Sequence, residues 1–283
     1  ISTGAVELNT GSSSAGNITT STVDGTTSIS FVAGSGTIST GALGGTAALT
    51  GLTFNTSAAT TLSNNITVGG NFEITAPVTL GADITVNTSS GNGSITFGDT
   101  IDGGQSLTLS SGSGAIKLQG IVGGGSATGL TGLSINETAE TGTIEISDIG
   151  DADSLGVTGT VAIGNSATTE LKLDGTKYFT DGGTTFEASS SGNGILITGA
   201  SPTISTKNDN LAFNIADIVL STAGTTTIDT EHTASGGGTL TIQGKIDATN
   251  NQAENLIINA GSAKITLDLS LIHISEPTRP RSI

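Results

Sequence analysis

Apolar and polar residues alternate in runs of three to five along most of this chain. Ile95-Thr-Phe97, Leu107-Thr-Leu109, Ile116-Lys-Leu118, Ile144-Glu-Ile146, Val161-Ala-Ile163, Leu171-Lys-Leu173, Leu211-Ala-Phe213, Leu240-Thr-Ile242 and Ile265-Thr-Leu267 all follow the rule. A period of two sends successive side chains to opposite faces of an extended strand. Gly, Asn, Asp and Ser fill the gaps, the residues that make tight turns. No stretch carries a helical period, and the density of Gly and β-branched Thr would weaken a helix. The body is therefore expected to be almost wholly β. Ile95, Phe97, Leu107, Leu109, Ile116, Leu118, Ile144, Ile146, Leu240 and Ile242 should point inward, and Lys117, Glu145 and Lys172 outward.

The turns and strands recur in order. Residues 34–55 and 112–136 share a Gly-Ser-Gly turn, a short alternating strand and a Gly-Gly turn, then a Leu-x-x-Leu run closed by Asn. Gly192-Asn-Gly-Ile-Leu-Ile-Thr-Gly199 is a fainter echo of Gly91-Asn-Gly-Ser-Ile-Thr-Phe-Gly98. Degenerate repetition of this kind marks a quasi-one-dimensional protein.

Two architectures use short strands, a parallel β-helix or a string of β-sandwiches. A sandwich needs a compact core, usually with a buried aromatic. Here aromatics make up 3% of 283 residues, charged residues 11%, and there are 43 glycines. The 34% hydrophobic content is spread thinly as Ile, Leu and Val. A solenoid tolerates this, because its core is one or two side chains thick. A right-handed parallel β-helix (β-solenoid) is the expected fold, over sandwiches or an irregular β array.

Composition also bounds function. The net charge of −16 argues against nucleic acid, whose binding requires a basic face. No apolar run approaches the roughly 20 residues that span a bilayer. No cysteine is present, so disulfide and thiol chemistry do not arise. The last fifteen positions differ from the rest. Leu269-Ser-Leu-Ile-His-Ile-Ser-Glu-Pro-Thr-Arg-Pro-Arg-Ser-Ile283 holds both arginines, two of the four prolines and one of the two histidines. It resembles the in-frame translation of a transposase-type sequencing adaptor. The expected organisation is one solenoid body over 1–268, a fragment truncated at both ends, followed by a non-native tail over 269–283.

The run from Gly91 to Asn136 combines Gly-x-Ile-Thr-Phe, Leu-x-Leu strands, Gly-x-Ile and Val-Gly-Gly before Leu-x-x-Leu-x-Ile. It resembles the large repeat-rich bacterial exoproteins related to filamentous haemagglutinin, and the passengers of long autotransporters. That resemblance implies export through an outer-membrane secretion partner, an extracellular or cell-surface location, and a non-enzymatic role as an adhesin stalk. It also implies a host or surface glycan or protein receptor. It brings no catalytic residues.

Few residues suggest chemistry. Asp148, Asp151 and Asp153 lie close enough to offer oxygens to Ca²⁺. They match neither EF-hand spacing nor the calcium-binding nonapeptide, and a solvated acidic turn between coils accounts for them more simply. Asp99 and Asp102, before Gly103-Gly104, read the same way. No cofactor other than a possible Ca²⁺ is indicated. A carbohydrate-active β-helix enzyme would need carboxylates gathered in one cleft. The body's acids are scattered, and His232 has no visible nucleophile, so it reads as an exposed turn histidine. Tyr178-Phe179 reads as a strand end capping a coil, or as a small contact patch. An ice- or mineral-binding solenoid would need a flat Thr or Asp rank, and Thr225-Thr-Thr227 and Thr239-Leu-Thr241 do not recur at constant spacing.

Overall fold

A computed structural model describes residues 4–11, 16–124, 129–151, 156–232, 236–249 and 254–268. Every regular element among them is a strand, and every strand pairing is parallel. The chain winds as a β-solenoid whose coils have three faces. In one coil, Phe72–Ile74 lies on the first face, Val78–Leu80 on the second and Ile84–Asn87 on the third. The next coil repeats the order with Ile95–Phe97, Ile101–Asp102 and Ser106–Ser110. The coil length varies: Leu52 faces Phe72, 20 residues on, whereas Ile218 faces Ile246, 28 on. The insertions fall at corners, leaving the faces in register.

Inward positions stack into ladders. On the first face Ile29, Leu52, Phe72, Ile95, Ile116, Ile144, Leu171, Ile195 and Ile218 form one continuous buried row. The third face carries a parallel row from Ile84 through Leu107, Leu133, Val161, Thr184 and Leu211 to Leu240. Ile95, Phe97, Leu107, Leu109, Ile116, Leu118, Ile144, Ile146, Leu240 and Ile242 are all buried, as the period of two predicts, whereas Ile265 and Leu267, which alternate in the same way in the last described strand, are exposed. Each fully covered side chain of this size stabilises by about 1.5–3 kcal/mol relative to exposure. Aromatics are clustered: Phe31, Phe54, Phe72 and Phe97 pack in tilted and edge-on pairs with ring centroids 5.2–6.0 Å apart, and Phe186 stacks on Phe213 at 5.4 Å.

The first and second faces belong to one 20-stranded sheet and the third to a nine-stranded sheet. The reason is local: Ile116–Val122 and Thr143–Ile149 run unbroken round the corner between the two faces. The bend falls between Leu118 and Ile121. Gly120 stands there because a Cβ would lie 2.2 Å from the Asp99 carbonyl carbon in the coil beneath.

The long sequence repeat does not coincide with the coil. Ile38, after the Gly-Ser-Gly turn of residues 34–36, sits on the second face, whereas its counterpart Ile116 sits on the first. Leu52 likewise lies on the first face and Leu133 on the third. The two copies are displaced by one face, so similar corners follow different faces. The fainter echo is in phase, since Ile95 and Ile195 share the first face.

Candidate functional site

Several of the Asp and Asn residues serve the corners. Asn17, Asn65, Asn71, Asp83, Asp148, Asn210 and Asp217 each stand immediately before a buried apolar residue of the core. Each side-chain Oδ1 accepts the backbone N–H of the equivalent residue in the next coil, respectively Thr37, Thr85, Ser94, Ser106, Lys177, Thr239 and Lys245. The distances are 2.8–3.0 Å. A coil thus supplies a partner for an amide that the ladder leaves over at the next corner. The hydrogen bonds hold the Asp83 carboxyl below its ordinary range, the Ser106 amide contributing most.

Asp148 belongs to this set. Its Oδ1 accepts from Thr176 N at 2.6 Å and Lys177 N at 2.8 Å. One of the three carboxylates proposed for Ca²⁺ is therefore turned onto the backbone of the next coil. Asp151 follows Gly150 in the succeeding turn and is half-buried, while Asp153 lies outside the described residues. No group of three metal-ligating side chains occurs among the described residues. Asp99 Oδ1 accepts from its neighbour Thr100 N at 2.7 Å, and Gly103 and Gly104 take positive φ, as the Asp-Gly turn reading requires.

The outer surface of the first face carries a row of alternating charge. Lys117, Glu145 and Lys172 are register partners on successive coils, and all three point outward as expected. Lys117 Nζ lies 3.3 Å and Lys172 Nζ 2.5 Å from the Glu145 carboxylate, and Lys172 also reaches Asp174 at 3.7 Å. The Lys172 hydrogen bond depresses the Glu145 carboxyl and raises the Lys172 ammonium. Burial pushes the Asp174 carboxyl up, against the pull of Lys172. Glu145 and Asp174 are carboxylates on adjacent coils, with Lys172 between them.

The second face holds what the sequence concealed. Tyr178 points inward, donates from its hydroxyl to Ile146 O at 3.0 Å and accepts from Gly175 N at 2.8 Å. Burial raises its phenol well above the usual range. Phe179 points outward yet is buried, because His232 stacks on it with ring centroids 4.6 Å apart. His232 lies in a turn, as expected, but is half-buried and not exposed. Between them lies Ser205, the register partner of both Phe179 and Asp229, buried with its hydroxyl unpaired. The contact joins residues 53 apart in sequence, and nothing in the local pattern signals it.

Among the shallow grooves on the outer faces, two surround strand glycines. One spans four coils of the first face around Gly51, with a volume of about 350 Å³. The other spans three coils of the third face around Gly132, with about 180 Å³. Comparison with known proteins finds no matching family model, no similar curated protein and no similar solved structure.

Proposed function

We propose that the chain is a non-enzymatic stalk segment of a secreted or cell-surface bacterial adhesin, exported with the help of an outer-membrane partner. The observation that supports this most is the unbroken ladder of inward side chains, from Ile29 to Ile218 on one face, locked coil to coil by side-chain caps. Such a stack is stiff along its axis and presents outward strand positions in every coil, so it projects a tip and offers many weak contacts at once. The recurring Gly-turn and Leu-x-x-Leu segments, which resemble those of repeat-rich exoproteins, support the same reading.

The purified chain, coated on microspheres, should retain them on glycan-bearing cell surfaces against flow. Incubated with a panel of polysaccharides, it should release neither reducing nor unsaturated sugar ends. Release of such ends would replace the stalk by the alternative, a carbohydrate-active β-helix enzyme, and would direct attention to Glu145 and Asp174. Microspheres that are not retained would contradict the adhesive role.

A further inference from the structure

On the first face, the outward side chains of four successive coils form a pattern that is its own complement. The strands are Glu170–Leu173, Gly194–Ile197, Ile218–Leu220 and Ile246–Ala248, paired in register. Their central outward row reads Lys172, Leu196, Val219, Asp247. The row beside it, at the strand starts, reads Glu170, Gly194, Asp217, Lys245. Reversing the coil order sets Asp247 on Lys172 and Val219 on Leu196 in the first row. In the second it sets Lys245 on Glu170 and Asp217 on Gly194.

The centre of this patch is unusual for the molecule. Among the described residues, only Leu196 and Val219 put large aliphatics at outward strand positions on successive coils. Both are half-buried, and Lys245 and Asp247 at the rim are exposed. An apolar centre within a charged rim is the anatomy of a protein interface. Lys172 and Lys245 have partners within the chain, Glu145 at 2.5 Å and Asp217 at 3.4 Å, but each ammonium carries three donors and can serve a further carboxylate.

We propose that this four-coil patch binds a second copy of the chain, face to face and with the two stacks antiparallel. A two-fold contact brings a patch onto itself, so it requires self-complementarity. The axis runs along the strands, midway between the coils of Leu196 and Val219. It packs Leu196 on Val219 twice at the centre and makes two Lys172–Asp247 and two Glu170–Lys245 pairs around them. Coils follow each other at about 4.8 Å, so both rows stay in step over the whole contact. A two-fold axis along the stack would instead set Lys172 on Lys172 and Glu170 on Asp174, like charge on like, which selects against parallel pairing. The contact rests on the fold and goes beyond the stalk reading. Stalks projecting from opposed surfaces meet in the antiparallel sense, whereas neighbours on one surface do not. At about 19 Å by about 13 Å, the patch falls short of the roughly 800 Å² per partner of a standard interface. One pair of copies therefore associates weakly, and arrays gain by avidity.

Sedimentation equilibrium of the full chain, at about 0.15 M salt and up to about 1 mM protein, tests this. The native chain should show a monomer–dimer equilibrium. Glu170→Lys alone, or Lys245→Glu alone, turns two attractive pairs into two repulsive ones and should weaken the dimer about tenfold. An equimolar mixture of the two variants restores opposite charges at both contacts and should associate as the native chain does. Mixing cannot repair a misfolded variant, so recovery in the mixture reports complementarity and not folding. A native chain that stays monomeric over this range would overturn the pairing, and so would a mixture no tighter than the single variants. Either result leaves the stalk reading to be decided by microsphere retention.

Discussion

Thr60 stands at an inward position of the second face, between Ile38 and Val78, with its hydroxyl buried and unpaired. A buried hydroxyl without a partner carries the desolvation cost and returns nothing. Thr60→Val should therefore raise the unfolding free energy in urea by about 1 kcal/mol, and a loss of stability would mean that the hydroxyl has a partner. Ile215 is a second local conflict. It is β-branched, 39% exposed, and holds φ at 68°, a region that such side chains avoid. Its N–H donates to Gln243 Oε1 at 3.0 Å, which fixes the turn. Ile215→Asn keeps that N–H and tolerates the left-handed backbone, so it should stabilise by about 1 kcal/mol in the same titration. The inward aliphatics were legible residue by residue, because a period of two leaves no other face for Ile95, Phe97 or Leu240. Thr60 was not, because its alternation is the same whether it is core or surface.

At the scale of elements, the corner caps make separable predictions about the acidic turn. Asp148→Asn retains the Oδ1 that receives the Thr176 and Lys177 amides, so the thermal midpoint should stay within error. Asp148→Ala leaves both amides unpaired and should cost about 1–2 kcal/mol. A Ca²⁺-dependent rise in the wild-type midpoint, abolished by Asp148→Asn, would instead establish the ion site. The charged row gives a pH test. The folded protein holds the Glu145 carboxyl below its ordinary value of 4.5, so its stabilisation is full at neutral pH and is lost as pH falls through the depressed value. Asp174, raised by burial, works in the opposite sense, its penalty easing as acid protonates it. Glu145→Gln should thus lower stability at pH 7 by less than about 1 kcal/mol, the groups being partly exposed, with the difference closing in acid. A difference that persists at low pH would mean packing, not charge. The sequence exposed these elements only in part. An Asx before an apolar residue is visible as a dipeptide, but its partner lies a whole coil away and depends on register. The same distance hid the Phe179–His232 stack and the one-face displacement between the two long repeats.

For the whole molecule, each coil touches chiefly the coils before and after it, so order is set by a one-dimensional register. The last described strand, Ile265–Leu267, makes the point: Ile265 and Leu267 are 43% and 44% exposed, while their partners one coil back, Leu240 and Ile242, are fully buried. The all-β, parallel, stacked character was readable from turn spacing and alternation, because thin aliphatic strands with few aromatics fill a solenoid and starve a sandwich. The number of faces was not, since the turns alone do not reveal which corner follows which strand. The stack fixes distances along the axis. Ser30, Lys117 and Val219 all point outward on the first face, in one register row, with Lys117 four coils and Val219 eight coils beyond Ser30. The chain has no cysteine, so paired cysteine substitutions carry spin labels at those sites alone. Double electron–electron resonance should place the Ser30–Lys117 pair near 19 Å and the Ser30–Val219 pair near 38 Å, taking about 4.8 Å per coil and allowing for the label arms. Narrow distributions that double with coil number would bear out the parallel stack. Broad distributions, or separations unrelated to coil number, would contradict it.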